Sequence, residues 1–166
     1  MNMTTEYVIR KGQLVDLAEL QMLFLDTITE ICKADYNDDQ IEAWTSDTKS
    51  NRNRQRWVDI LTKQFVLVAQ IKNEIVGFAT LDNGNYIDLL YVHKNHQRQG
   101  IADRLYKNIE NEARGQNQSV LTSNVSKSAR PFFEKVGFKV TKKQTVVRQN
   151  VELTNYKMEK KINPSR

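Results

Sequence analysis

The segment that most constrains the fold is residues 86–113, which read YIDLLYVHKNHQRQGIADRLYKNIENEA. Residues 86–92 form a nearly continuous apolar run, which is typical of a strand in the middle of a sheet. Residues 100–113 place an apolar side chain at every fourth position, which predicts an amphipathic helix. We therefore expect a central strand, a polar loop over residues 93–99 and a helix that flanks the sheet.

The segments before this strand predict an antiparallel meander. Residues 65–71 and 74–81 read as two strands joined by a tight turn at residues 72–73. Asn83-Gly84 is a type I′ turn signal, because both central residues of that turn need a positive φ. Residues 86–92 then form the third strand of the meander.

The remaining pattern completes an α+β fold. The predicted helices span residues 16–32, with Asp16 and Glu19 as a capping box, a short stretch capped by Asn37, residues 54–63, and a stretch capped by Ser126 or Ser128 and ended by Gly137. The predicted strands span residues 7–10, 119–123, 139–148 and 151–160. We expect a mixed, mostly antiparallel central sheet of about seven strands flanked by helices, in one domain over residues 1–166 with its core at about 7–160.

Composition excludes several classes of protein. The chain has 166 residues and one cysteine, Cys32, which excludes an internal disulfide and a zinc site made only of cysteines. We expect Cys32 to be a packed, apolar-like side chain rather than a nucleophile. No apolar run reaches the roughly 18 residues of a membrane span, and no signal-peptide pattern opens the sequence. We expect a cytoplasmic protein without a membrane partner.

Charge is distributed unevenly along the chain. The net charge is +5, but residues 1–48 carry 10 acidic and 3 basic residues, whereas residues 49–166 carry 10 acidic and 22 basic residues. A basic body suggests an anionic ligand, although a solvated surface has the same composition. The basic C-terminal strands lack interleaved aromatic residues, so we expect no nucleic-acid partner. His93 and His96 have no third ligand near them in the sequence, so we expect no metal site.

The loop before the predicted helix, QRQGIA over residues 97–102, has the chemistry of an anion site. A helix N-terminus offers unpaired N–H groups and the positive end of a dipole. Gly100 allows an anion to approach the main chain, Ala102 leaves the first turn uncrowded, and Arg98 adds a positive charge. The same sequence also fits a purely structural helix cap.

A second segment, ARPFFEKVGF over residues 129–138, gives the loop a context. Together the two segments resemble the signatures of the GNAT-type N-acetyltransferase superfamily. The cofactor motif of that family is matched at Gln97, Gly100 and Ala102. Its later signature is matched at Asn124, Ala129, Phe132, Glu134, Lys135, Gly137 and Phe138. The resemblance covers residues 7–160 and implies the GNAT-like acyl-CoA N-acyltransferase fold.

The resemblance implies that acetyl-CoA is the co-substrate. Its pantetheine arm would pair with the main chain of the strand before the motif, and its diphosphate would lie on the loop amides. Asn124 and Phe133 would lie near the arm. The implied cofactor-binding residues are Leu90, Tyr91, Val92, Gln97, Arg98, Gln99, Gly100, Ile101, Ala102, Asn124 and Phe133.

The resemblance also implies direct transfer of the acetyl group to an amine in a ternary complex. An alkyl amine with a pKa of about 10.4 arrives protonated and needs a base. Asp88 is the candidate, because it is the only charged side chain in residues 86–92. The alternative is that Asp88 makes a structural ion pair or bonds to a loop amide. Tyr86 shares its face of the strand and is a candidate for substrate contact.

One position departs from the family pattern. Many members carry a tyrosine four residues before the motif glycine, where it protonates the departing thiolate, and this chain has Phe133 there. Tyr156 is the candidate substitute for that acid, and solvent is the alternative. A third interpretation is a CoA-binding module with little or no catalysis.

The first helices are expected to line the acceptor site. Tyr36 and Trp44 are the candidate substrate-binding residues, and acidic residues surround them in the sequence at Asp35, Asp38, Asp39 and Glu42. Acidic and aromatic side chains together favour a cationic amine, although ordinary helix caps have the same composition. The predicted partner is a small-molecule or peptide amine, and the sequence leaves monomer and homodimer both open.

Overall fold

A single mixed sheet runs through the middle of the protein. The computed structural model describes residues 6–46 and 50–164. In that part of the chain the sheet has seven strands in the order β1-β2-β3-β4-β5-β7-β6. The strands are β1 (Val8–Lys11), β2 (Phe65–Ile71), β3 (Glu74–Asp82), β4 (Tyr86–Val92), β5 (Val120–Ser126), β6 (Lys139–Arg148) and β7 (Val151–Lys161). The flanking helices are α1 (Leu17–Glu30), α2 (Asp38–Thr45), α3 (Asn51–Lys63), α4 (Ile101–Gly115) and α5 (Arg130–Lys135). The predicted α+β fold class is confirmed.

The pairing of β4 with β5 sets these two strands apart from the rest of the sheet. The other neighbouring strands are antiparallel, whereas β4 and β5 are parallel and pair only at Tyr86 and Thr122. Below this point the Ser123 hydroxyl donates a hydrogen bond of 2.7 Å to the Ile87 carbonyl. β4 then continues to Val92 without a strand partner on that side. The sheet therefore opens between its two central strands.

Helices cover both faces of the sheet, and each face has its own core. One core joins α4 and α5 to the sheet, through Ile101, Leu105, Ile109, Leu121 and Phe133. The other joins α1 and α3 to the opposite face, through Leu20, Phe24, Ile28, Trp57 and Phe78. Side chains of β2 alternate between the two cores: Leu67 packs in the first core and Val68 in the second. None of the described helices is both long and apolar enough to cross a membrane.

The predicted capping box at the start of α1 is wrong. The Asp16 carboxylate caps no N–H of α1; it accepts two hydrogen bonds from Arg10 and one from the Gln13 N–H. Glu19 accepts from the Ile75 N–H at 2.7 Å instead of reaching back. Asp16 thus closes a capping box with Gln13 at the 3₁₀ turn that precedes α1, and only Glu19 takes a partner that is distant in sequence.

Other local predictions hold. Asn37 caps α2, with its side chain accepting from the Gln40 N–H at 2.8 Å. Asn83 and Gly84 both have positive φ, at 53° and 77°, as the turn requires.

Several predicted boundaries differ from the observed ones by a few residues. α1 ends at Glu30, and Cys32 lies in a separate 3₁₀ turn. α3 begins at Asn51, with Ser50 as its cap. β5 continues to Ser126, whose hydroxyl accepts from the Ala129 N–H before α5.

Candidate functional site

The opening between β4 and β5 leads into a cleft of about 570 Å³. Its walls are residues 86–91 of β4, 123–126 of β5 and 153–155 of β7. The helices contribute Phe24, Trp44, Arg52, Asn53, Arg56 and Phe133, the adjacent loops contribute Tyr36 and Ala129, and β6 contributes Val146 and Arg148. The split in the sheet therefore places main-chain groups of two strands and side chains from both faces around one space.

The loop before α4 has the geometry of an anion site. Gly100 has φ = 80°, and a side chain there would meet no atom within 4 Å. Arg98 also lies in the left-handed region, with φ = 60°. Within the described chain, the N–H groups of residues 98–103 donate no hydrogen bond. A left-handed residue followed by a helix start aims such N–H groups outward, which suits a phosphate.

Two side chains support this loop. Gln97 Nε2 donates to the Val92 carbonyl at 2.5 Å and so ties the loop to the end of β4. Asp103, in the first turn of α4, would oppose an anion, but Lys135 Nζ lies 3.0 Å from its carboxylate. The first turn therefore keeps the favourable electrostatics of a helix N-terminus.

Leu90, Tyr91 and Val92 have one paired side and one free side. They pair with Ala79, Phe78 and Gly77 of β3, while β5 has already separated from β4. The Tyr91 ring packs between Phe24 and Phe78, which fixes this end of β4, and burial raises the pKa of its hydroxyl. The free edge can accept an extended, amide-bearing chain in the way that a sheet accepts a strand.

Asp88 projects into the cleft from the middle of β4. Its Oδ2 accepts a hydrogen bond of 2.9 Å from Gln64 Nε2, and its Oδ1 lies 3.8 Å from an Arg56 nitrogen. The side chain is 20% exposed. Both the predicted role as a base and the alternative ion pair are compatible with these contacts, because one oxygen has only a long contact.

Tyr86 lies close enough to Asp88 to feel its charge, although β4 does not alternate regularly here: Leu81 pairs with Ile87 and Thr80 with Leu89, so that Asp88 lies in a bulge. Burial raises the pKa of the Tyr86 phenol, and the negative charge of Asp88 adds to the effect. Tyr86 therefore keeps its proton at neutral pH and can donate a hydrogen bond into the cleft. Asn124 lies near this phenol and accepts a hydrogen bond of 3.3 Å from Gln144 Nε2.

Tyr36 and Trp44 line the cleft together, with their ring centroids 5.3 Å apart. The Tyr36 hydroxyl donates to the Thr154 carbonyl at 2.6 Å and accepts from the Lys127 N–H at 3.0 Å. Burial raises the pKa of this phenol. The hydroxyl is thus engaged in holding β7, and the ring is the part of Tyr36 that is free to contact a ligand.

The two residues considered for thiolate protonation lie in different surroundings. Phe133 lines the cleft and is 4% exposed. Tyr156 is not among the described residues that line the cleft; its ring lies under the Arg130 guanidinium, 4.5 Å away. Its neighbour Asn155, which the sequence did not single out, lines the cleft instead.

The charge of the cleft is the opposite of the predicted one. Within the described chain, Asp88 is the only carboxylate among its lining residues, whereas Arg52, Arg56 and Arg148 all line it. The predicted acidic residues point elsewhere: Asp38, Asp39 and Glu42 are exposed, and Asp35 accepts from Ser128. The one available signal was the spacing of Arg52 and Arg56, which are four residues apart on a helix and so share a face.

Cys32 is buried, with 3% exposure, and burial raises the pKa of its thiol. A buried thiol that holds its proton is a poor nucleophile. This agrees with the expectation that Cys32 packs rather than reacts.

Comparisons with known proteins agree on the family. A family model described as an acetyltransferase (GNAT) domain matches residues 32–160. The uncharacterized N-acetyltransferase YafP of Escherichia coli K12 is 34% identical over 150 residues, which cover 90% of this chain and 93% of that protein.

Solved structures show the same fold. A GCN5-related N-acetyltransferase from Rhodopseudomonas palustris has a TM-score of 0.87 and 26% identity, covering 98% of this chain and 99% of its own. PaiA N-acetyltransferase from Thermoplasma acidophilum, solved in complex with coenzyme A, has a TM-score of 0.74 and 19% identity, and the match covers 95% of this chain and 99% of PaiA. YncA, a putative acetyltransferase from Salmonella typhimurium solved with acetyl-CoA, has a TM-score of 0.70 and 20% identity, and the match covers 97% of this chain and 96% of YncA. With a family model that spans most of the sequence and a relative above 30% identity, the chain belongs to the GNAT family of acetyltransferases.

Proposed function

We propose that this protein is an N-acetyltransferase that moves an acetyl group from acetyl-CoA to a primary amine of a small molecule or peptide. The observation that carries the proposal is the continuity of three features: the unpaired N–H groups of residues 98–103, the free edge of β4 and the Asp88 carboxylate. The N–H groups can bind a diphosphate, the free edge of β4 can pair with an amide-bearing arm, and the carboxylate can accept a proton.

The residues present fit coenzyme A. The side chain missing at Gly100 leaves open space against the loop amides, and Arg98 adds a positive charge there. Leu90 to Val92 offer main-chain groups along the arm, and the first turn of α4 has its one carboxylate neutralised by Lys135. PaiA was solved with coenzyme A and YncA with acetyl-CoA, which supports binding of this cofactor by a protein of the same fold.

Acetyl-CoA, when bound, supplies a thioester whose carbonyl carbon the amine nitrogen attacks directly, so that the N–C bond forms as the C–S bond breaks. Asp88 removes the proton of the amine, either directly or through a water. Gln64 supports this role, because it donates its amide to the carboxylate and fixes its orientation. Tyr86, which keeps its proton, donates a hydrogen bond on the acceptor side.

A second candidate function is a CoA-binding module with little or no catalysis. Phe133 favours it, because this residue lines the cleft without a hydroxyl to protonate a leaving thiolate. Against it, a thiolate with a pKa of about 8.5 leaves without strong acid help, and Tyr156 or solvent remains available as a proton source.

The test is release of free thiol from acetyl-CoA in the presence of a broad panel of amines, together with the effect of acetyl-CoA on the melting temperature. We expect thiol release with at least one amine and a higher melting temperature with acetyl-CoA. Gly100→Glu should abolish both, because it places a side chain and a negative charge where the diphosphate lies. Gly115→Glu, at the other end of α4 and also in open space, controls for the added side chain and charge, and Gly100→Ala controls for the strain of a side chain at the left-handed Gly100.

Each outcome separates the candidates. Thermal stabilisation by acetyl-CoA without thiol release from any amine would favour the binding module. If acetyl-CoA neither stabilises the wild-type protein nor reacts, the proposed cofactor site is wrong.

A further inference from the structure

Three arginines surround the acceptor side of the cleft. Arg52 and Arg56 project from the first two turns of α3, and Arg148 comes from the end of β6, far away in the sequence. Arg52 and Arg56 also line a second cavity of about 600 Å³ that adjoins the cleft at Asp88. The arginines therefore lie around the route by which an acceptor reaches the candidate base.

These guanidinium groups have spare binding capacity. Arg56 has a single ion-pair contact, 3.8 Å to Asp88, and its side chain is half exposed. In residues 6–46 and 50–164, no carboxylate lies within ion-pair distance of Arg52 or Arg148. Arginine presents five donors in a planar fork that matches a carboxylate or a phosphate.

The start of α3 adds to the positive potential. Arg52 and Asn53 belong to its first turn, and both line the cleft. The positive end of the dipole of this 13-residue helix therefore lies on the same side as the arginines. Within the cleft, a ligand with two or more positive charges would meet three arginines and a single carboxylate, whereas Asp59 and Asp82 line only the adjoining cavity.

We propose that the acceptor is an amine that also carries an anionic group, a carboxylate or a phosphate. Arg52 and Arg148 bind the anion, and this orients the amine nitrogen toward Asp88. The proposal rests on the proposed function and replaces the cationic acceptor that the sequence suggested. Polyamines and other polycations are disfavoured, because their second charge would face the arginines.

Matched acceptors test the proposal. O-phosphoethanolamine is compared with ethanolamine for the phosphate, and β-alanine with β-alaninamide for the carboxylate. We expect the anionic member of at least one pair to have a kcat/KM higher by about tenfold or more, as charge-assisted hydrogen bonds allow. The pair that shows the larger ratio identifies the anion.

Variants test the residues. Arg52→Gln and Arg148→Gln should each raise KM for the anionic acceptor by about tenfold. The KM for the matched acceptor without an anionic group should stay almost unchanged. Arg54→Gln is the matched control, since Arg54 is exposed on the same helix and lines neither cavity. Arg56 is left intact because it contacts Asp88.

Calorimetric binding of the same four compounds to the CoA-loaded protein separates this inference from the proposed function. Binding of an anionic compound that is lost in Arg52→Gln, without thiol release from any amine of the broad panel, would support the inference and contradict the acetyltransferase activity. Efficient acetylation of ethanolamine or β-alaninamide, with no gain in kcat/KM from the anionic group, would support the acetyltransferase activity and contradict the inference. Failure of both anionic compounds to bind would overturn the inference.

Discussion

Asp88 is the proposed base on the acceptor side of the cleft. Asp88→Asn preserves the size of the side chain but removes its ability to take a proton. We expect kcat to fall by about 100-fold or more, within the range of general-base contributions, while the affinity for acetyl-CoA changes little. Steady-state kinetics and a thermal shift with acetyl-CoA measure the two effects.

A suitable control for Asp88→Asn is Asp39→Asn. Asp39 is exposed on α2 and lines neither cavity. If Asp88→Asn keeps the wild-type kcat, the carboxylate only holds Arg56 and Gln64 in place.

Phe133 leaves the cleft without a phenol at a position where the family pattern has one. Phe133→Tyr should raise kcat, because it adds a hydroxyl at the cleft wall. The gain should stay well below the roughly 100-fold of a positioned general acid, since a thiolate is already an adequate leaving group. Phe132→Tyr, one residue earlier and facing Tyr106, is the control.

The dependence of kcat on Tyr156 completes this comparison. If Tyr156 donates the proton, Tyr156→Phe lowers kcat and Phe133→Tyr restores it in the double variant. An unchanged kcat in Phe133→Tyr, in a protein with the wild-type melting temperature, would show that thiolate protonation does not limit the rate.

The Arg10–Asp16 pair joins an edge strand to the first helix. Arg10 belongs to β1, and Asp16 immediately precedes α1. The Asp16 side chain is 8% exposed, and its hydrogen bonds from Arg10 hold the pKa of the carboxyl below its usual value. This contact fixes how α1 leaves the sheet, and α1 in turn supplies Phe24 to the cleft.

Asp16→Asn should lower the free energy of unfolding at pH 7 by about 1–3 kcal/mol, because Arg10 and the Gln13 N–H lose the buried, ionised acceptor to which they donate. The folded-state pKa is depressed, so the stabilisation is complete above the unfolded value of about 3.9 and is lost as pH falls through the folded value. Urea unfolding at pH 7 and near pH 3 should show the difference shrinking in acid.

Glu152→Gln, an exposed carboxylate near the β6–β7 turn, is the control for Asp16→Asn. A difference between Asp16→Asn and wild type that stays constant from pH 7 to pH 3 would contradict the assignment.

Elements with a strong local signal could be predicted from the sequence. The strand, loop and helix around Gly100 follow from hydrophobic period and glycine chemistry. The strand β4 and the helix α4 are both confirmed. The start of α1 could not be predicted in the same way, because Asp16 binds Arg10 of β1 and the Gln13 N–H of the preceding turn, and Glu19 binds the distant Ile75 of β3. A capping pattern reports only on the neighbours that are close in sequence.

The same distinction applies to the site in the whole molecule. The anion loop is a contiguous segment, so its residues could be named before the structure was known. The arginine lining is assembled from α3 and β6, and no local pattern connects Arg52 with Arg148. The acidic cluster around α2 suggested the opposite charge, because the sequence does not say which face of that helix meets solvent.

The single pairing between Tyr86 and Thr122 has a consequence for the protein as a whole. In the proposed complex, a coenzyme arm that hydrogen-bonds along β4 takes the place of the neighbour that this strand lacks. Binding of the coenzyme would then bridge the gap between β4 and β5, and the two parts of the sheet would be joined most firmly in the loaded form.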